Sequence, residues 1–195
     1  MKTITVLFFN KFSILVGMNT NFKQRLAKVK CFIFDVDGVL TNGSLFVMPA
    51  ELIRVMNIRD GYALHEAVKA RYKVCIISGG KSESVRSRLN NLGVTDIYLG
   101  VDNKKEKLDE ILDAYDLQLD EILYMGDDLP DYKVMQLIGV PTCPQDAAPE
   151  IRELSVYISP FKGGDGCVRD VVEQVMRLHG NWPFQNIPDN NSSAG

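Results

Sequence analysis

From residue 30 onward the chain alternates between two hydrophobic periods. Short runs rich in β-branched and aromatic residues, "KCFIFD" (30–35), "KVCIIS" (73–78), "DIYLG" (96–100), "EILYMGD" (121–127) and "VYIS" (156–159), are separated by stretches with apolar residues every three or four positions. That rhythm is the repeated strand and helix of a parallel sheet, and it predicts an α/β fold with a doubly wound, Rossmann-like sheet. Asp60 is placed to cap a helix running through Ala63, Leu64, Ala67 and Val68. Ser82 opens another that ends near Asn91, and Lys104 to Tyr115 carries Leu108, Ile111 and Leu112 on one face. Later helices are predicted to start near Pro130, Ala147 and Cys167, the last ending before Gly180.

One segment breaks the rhythm. "GSLFVMPAELIRVMNI" (43–58) is two β-like runs around Met48, Pro49 and Ala50, and predicts a small hairpin inserted after the first strand. At the amino terminus "MKTITVLFFNKFSILVG" is apolar after a lysine, as a signal peptide is, but Lys11 interrupts it and no small-x-small cleavage site follows. The expected organisation is therefore a leader over 1–27 that is disordered or stems from a misassigned start, with Met18 as the true one. A single domain over 28–180 follows, and then a flexible tail over 181–195, rich in Asn, Ser and Pro.

Composition narrows the function. With 195 residues, 46% hydrophobic and 24% charged, the chain fits one globular domain with a substantial core. A net charge of -3 with dispersed basic residues argues against a nucleic-acid or membrane partner and for a small molecule. The four cysteines show no CxxC spacing, which points to a reducing, cytoplasmic setting. Two histidines and no thiolate pair make a zinc site a poor expectation; any metal should be a hard ion held by oxygen.

In a parallel sheet ligands gather at the carboxyl ends of the strands. Here the first strand ends in Asp35 and Asp37, the second in Ser78, Gly79 and Gly80, and the fourth in Gly126, Asp127 and Asp128 with Asp131 close by. Lys104 opens the helix after the third. So many carboxylates converging on one spot repel unless a divalent cation neutralises them, and oxygen-only ligands point to Mg²⁺. A hydroxyl, a lysine and backbone amides facing that cation form a receptacle for a phosphoryl group. Together they suggest phosphoryl transfer through an aspartyl phosphate.

"DVDGVLTNG", "IISGG", Lys104 and "GDDLPD" resemble, in order, the four motifs of the haloacid dehalogenase phosphatases. More narrowly, "NIRDGYAL" (57–64) and "GGDGCVRD" (163–170) resemble the 3-deoxy-D-manno-octulosonate 8-phosphate phosphatases of lipopolysaccharide precursor synthesis. The resemblance implies that Asp35 is the nucleophile and that Asp37 is the acid and then the base. Asp35, the Asp37 carbonyl and Asp127 would hold Mg²⁺, Ser78 and Lys104 would bind the phosphoryl group, and Asp128 and Asp131 would orient Lys104 and metal-bound water. By the same resemblance Asn57, Ile58, Arg59, Asp60, Gly61 and Arg88 would line the sugar pocket, with Gly79, Gly80 and Lys104 at its phosphate end. Related enzymes often carry arginines that grip the sugar carboxylate where this chain has His65 and Gly80.

Two other functions fit parts of the pattern: a phosphatase for a nine-carbon, sialic-type ulosonic acid phosphate, and a non-catalytic module like a response-regulator receiver. Asp37, two residues after Asp35, separates them from the second, since a receiver lacks that acid and base. The chain has no room for a cap domain, with only about 22 residues between Asp37 and Asp60. The hairpin, apolar through Leu45, Phe46, Val47, Leu52, Ile53 and Val55, is therefore expected to pair with its copies in a homo-oligomer, a tetramer in the resembled family. Gly163 to Asp170 of one subunit would then cover its neighbour's pocket and bring Arg169 to the substrate.

Overall fold

The structure is a computed structural model that describes residues 22–49 and 51–183. Its centre is β1 (Cys31–Phe34), wholly buried, in a six-stranded sheet. The order is β5 (Asp96–Leu99), β4 (Lys73–Ser78), β1, β6 (Ile122–Met125), β7 (Val140–Cys143) and β8 (Tyr157–Ile158), all pairs parallel. Successive side chains of β1 point to opposite faces, and both faces are covered, so the run is apolar throughout rather than alternating.

Phe32 and Phe34 pack with helices α2 (Ile58–Lys69), α3 (Glu83–Asn90) and α7 (Cys167–Leu178). Cys31 and Ile33 pack on the other face with α4 (Lys104–Tyr115), α5 (Tyr132–Met135) and α6 (Pro149–Leu154). Burying each large side chain of this kind contributes about 1.5–3 kcal/mol, which is what fixes the two helical layers.

β7 is absent from the runs predicted above. Pro141 sits in its middle and cannot donate to the ladder, the usual sign against a central strand; its carbonyl nonetheless accepts from Val156 N at 2.9 Å. The cap of α2 also differs. Asn57, not Asp60, holds that position, accepting from Arg59 N at 2.8 Å, and Asp60 lies inside the first turn. Ser82 caps α3 as expected.

Most of the expected leader and tail lies outside the described residues, but the folded unit passes the expected bounds at both ends. α1 (Phe22–Leu26) buries Leu26 and stacks Phe22 on Tyr157 with ring centroids 4.7 Å apart. Trp182 is buried against the core.

The hairpin is present as β2 (Phe46–Val47) and β3 (Leu52–Ile53), antiparallel and outside the main sheet, with a Thr41 to Met56 bridge at its base. No cap domain stands between β1 and α2 among the described residues. From β1 the chain winds out through β4 and β5, then returns to build β6, β7 and β8 on the other side. That reversal opens a crevice at the carboxyl end of β1.

Candidate active site

Asp35 is the first residue beyond β1, tied to β6 by its amide on the Met125 carbonyl at 3.1 Å. The chain then makes a wide π-type turn over Val36–Leu40, closed by Thr41 N on the Val36 carbonyl at 3.0 Å. Gly38 is required there twice. Its φ is +84°, and a Cβ at that position would lie 1.9 Å from Asp127 Oδ2, so the second acidic loop rests directly on the first.

Lys104, the first residue of α4, is buried and reaches two carboxylates, Asp35 Oδ2 at 2.9 Å and Asp131 Oδ1 at 2.7 Å. Asp131 is fully buried and also accepts the Tyr124 hydroxyl at 2.5 Å and the Asp127 amide at 3.3 Å. Burial pulls the Lys104 ammonium down, but Asp35 and Asp131 outweigh it and hold its pKa above the usual value. Asp35 is pushed up to about 6, chiefly by burial and then by Asp131, with Lys104 opposing. Asp127 is pushed up to about 7 by burial, Asp35 and Asp131.

One oxygen from each of Asp35, Asp127 and Asp131 lies within 4.8 Å of the others. Three carboxylates against one ammonium leave an excess of negative charge that a hard divalent cation fits, and every donor is oxygen. Asp131 accepts three hydrogen bonds on its two oxygens, from Lys104, Tyr124 and the Asp127 amide, and Asp35 accepts the Val36 amide on Oδ1 at 2.7 Å beside Lys104 on Oδ2. With fewer bonds to give up, Asp35 and Asp127 are the better placed of the three side chains to hold an ion.

Ser78 ends β4 and is buried, its hydroxyl accepting from Gly80 N at 3.2 Å. The Ser78 and Gly80 carbonyls accept from Val101 and Gly100, each at 3.0 Å, which clamps the Ser78 to Gly80 turn beside the start of α4. Asp37 points back toward the hairpin, where Arg54 grips it with Nε on Oδ1 at 2.7 Å and Nη2 on Oδ2 at 3.0 Å. Sequence reasoning missed Arg54. Its only signal was a lone arginine inside the apolar run "LIRVM".

Several expected residues sit elsewhere. Asp128 does not orient Lys104; its side chain is exposed and accepts from Leu129 N at 2.8 Å, capping a short turn. Asp60 faces inward at 1% exposure and accepts the Gly166 and Arg169 amides at 3.2 and 2.7 Å. It anchors the start of α7 rather than lining a pocket, and burial pushes it up to about 6. His65 is exposed and bonds the Leu92 carbonyl at 3.2 Å, beyond the end of α3 that points away from the crevice. Arg169 pairs with Glu173 at 3.0 Å within the chain and lies over Trp182. Ile58 and Arg59 remain exposed at the start of α2, and Arg88 Nη2 lies 2.8 Å from where a Cβ on Gly61 would stand.

The "GGDG" loop packs on the Val36–Leu40 turn of its own chain. Gly164 N bonds the Val39 carbonyl at 2.8 Å, Asn57 Nδ2 bonds the Gly164 carbonyl at 3.3 Å, and a Cβ on Gly163 would fall 1.9 Å from the Gly38 carbonyl oxygen.

A scan of protein-family models matches none of them. Among curated proteins, the 3-deoxy-D-manno-octulosonate 8-phosphate phosphatase of Yersinia pestis is 33% identical over 154 residues, 78% of this chain and 82% of its own. Its crystal structure superposes with a TM-score of 0.81 at 31% identity, covering 83% of this chain and 88% of that one. The enzyme of that name from Moraxella catarrhalis, solved with a magnesium ion, a phosphate ion and a KDO molecule, superposes at 0.80 with 30% identity, covering 84% and 94%. A parallel sheet with this acidic crevice and, among the described residues, only a two-stranded hairpin between β1 and α2, together with the likeness to a haloacid dehalogenase subfamily III A hydrolase of Legionella pneumophila (TM-score 0.80, 29% identity, covering 87% and 93%), defines a capless haloacid dehalogenase phosphatase. Within that class the chain belongs to the 3-deoxy-D-manno-octulosonate 8-phosphate phosphatase family.

Proposed function

We propose that this phosphatase hydrolyses 3-deoxy-D-manno-octulosonate 8-phosphate to the free sugar acid and phosphate, with Mg²⁺ as its cofactor and an aspartyl phosphate as intermediate. The observation that carries the reading is Asp35, held between Lys104 at 2.9 Å and the carboxylates of Asp127 and Asp131. The names of the relatives and the Moraxella complex support the substrate and the metal.

In this mechanism an Asp35 oxygen attacks phosphorus, the bond from phosphorus to the sugar oxygen breaks, and Asp37 gives that oxygen its proton. Water then attacks the aspartyl phosphate and loses a proton to Asp37, and phosphate leaves with Asp35 restored. Ser78, the Gly79 and Gly80 amides and Lys104 bind the phosphoryl oxygens and offset their charge. Asp35, Asp127 and the Asp37 carbonyl would hold Mg²⁺, whose positive charge favours a crowded phosphoryl group. Asp131 fixes Lys104. Asn57, Ile58, Arg59, Gly61 and Arg88 supply the sugar side of the crevice.

The hairpin supports an oligomeric assembly, which we take to be a tetramer. Phe46, Val47 and Val55 are 60%, 78% and 59% exposed, more apolar surface than a lone two-stranded ribbon keeps in water. In such an assembly the "GGDG" segment of one subunit would border its neighbour's pocket. Four buried, unbridged cysteines support a cytoplasmic setting, where this reaction would serve lipopolysaccharide precursor synthesis. The test is a comparison of kcat/KM across phosphorylated eight- and nine-carbon ulosonic acids. The eight-carbon acid should lead; a lead for a nine-carbon acid would refute the substrate assignment.

A further inference from the structure

The contact between Arg54 and Asp37 has no part in the mechanism above, and it competes with that mechanism for Asp37. Asp37 must turn an oxygen to the leaving sugar oxygen, yet Arg54 holds the carboxylate toward the hairpin by a bond to each oxygen, at 2.7 and 3.0 Å. A guanidinium fork of this kind fits any planar carboxylate equally well. The substrate proposed above brings one. We propose that Arg54 is a specificity residue that exchanges Asp37 for the carboxylate of the substrate, so that binding a sugar acid frees Asp37 for proton transfer. The inference rests on the proposed function.

Position favours the exchange. The Cβ that Gly80 lacks would lie 3.1 Å from both Arg54 Nη2 and Asp37 Oδ2 and 3.5 Å from Ser78 Oγ. The ion pair therefore sits against the Gly80 end of the turn that begins at Ser78. Lys104 is committed to Asp35 and Asp131. The Arg54 side chain is 6% exposed but belongs to the hairpin, and its remaining contact, Nη1 on the Leu52 carbonyl at 3.3 Å, stays within that hairpin. It can change partner without disturbing the core. A carboxylate replacing a carboxylate leaves the charge pairing of Arg54 intact, whereas a neutral sugar would leave Asp37 held.

The experiment compares two alkyl phosphates whose leaving groups need the same proton, 3-deoxy-D-manno-octulosonate 8-phosphate and a neutral hexose 6-phosphate. The readout is the ratio of their kcat/KM values in the wild type, Arg54→Ala and Arg54→Lys. Arg54→Ala should reduce the preference for the acid by about 10- to 100-fold, the range for a hydrogen-bonded charge pair, mainly through KM of the acid. Arg54→Lys should restore only part, because an ammonium keeps the charge and loses the fork. A ratio within about threefold of wild type in folded Arg54→Ala, or equal losses on both substrates, overturns the role of Arg54. If the alanine variant fails to fold, Arg54→Gln gives the same readout. A wild type without preference for the sugar acid overturns the proposed function and this inference with it; a wild type that prefers it, with an unmoved ratio in the variants, overturns this inference alone.

Discussion

Gly163→Ala should disable the enzyme from outside its chemistry. The added Cβ would stand 1.9 Å from the Gly38 carbonyl oxygen, 2.6 Å from its carbon and 3.0 Å from the Thr41 oxygen. Opening the first gap from 1.9 to 3.0 Å, the least that real Cβ contacts tolerate, takes a displacement of about 1.1 Å. All three obstacles are backbone, so no rotamer relieves them. Either the "GGDG" loop retreats, breaking Gly164 N on Val39 and Asn57 on Gly164, or the turn carrying Asp37 and Gly38 moves against Asp127. A shift of about 1 Å in catalytic groups costs on the order of 10²-fold in rate. Overpacking of this kind also costs about 1–3 kcal/mol, or a Tm lower by roughly 2–12 °C in a chain of this size. Initial rates with Mg²⁺ on p-nitrophenyl phosphate, beside circular dichroism melts, measure both. Gly180→Ala is the control: its φ of +71° makes the variant less stable, but nothing lies within 4 Å and kcat should be kept. A Gly163→Ala enzyme with kcat within about threefold of wild type would refute the claim that this loop sets the catalytic turn.

Asp37→Asn should lose about 10²- to 10⁴-fold on a sugar phosphate and less on p-nitrophenyl phosphate, whose leaving group departs without a proton; a loss below about fivefold on the sugar phosphate would mean that Asp37 is not the acid. Asp131→Asn should lower activity by about 10- to 100-fold, since Lys104 then keeps only Asp35 as an ionic partner, and an unchanged kcat would show that Asp131 does not position it. Asp35, Asp60 and Asp127 are pushed up to about 6, 6 and 7 from 3.8, so the folded, metal-free chain binds more protons than the unfolded one. Its stability should therefore fall as pH rises from about 4 to 7, giving a lower Tm in EDTA at pH 7.5 than at pH 5.5, with Mg²⁺ narrowing the gap; a Tm in EDTA that rises over that interval would contradict the pKa directions.

The parallel sheet was legible because its central strands β1, β4 and β6 are buried on both faces and read as nearly unbroken apolar runs, while helical stretches carry one apolar stripe. Asp35, Ser78, Lys104 and Asp127 were legible for a related reason. A doubly wound sheet brings the ends of its strands to one crevice whatever the details, so a position just past a strand is already a position in space. β7 was hidden by Pro141, because local propensity counts the missing donor and not the neighbours on both sides that hold the strand. Roles that depend on which way a side chain turns were decided by tertiary contacts alone. Asp60 reads as a helix cap and a pocket residue, yet the amides of Gly166 and Arg169, more than 100 residues away in sequence, draw it into the interior. Arg54 is one basic residue in an apolar hairpin until folding lays that hairpin beside Asp37, and a partner 17 positions away across a turn leaves no periodic trace in the chain.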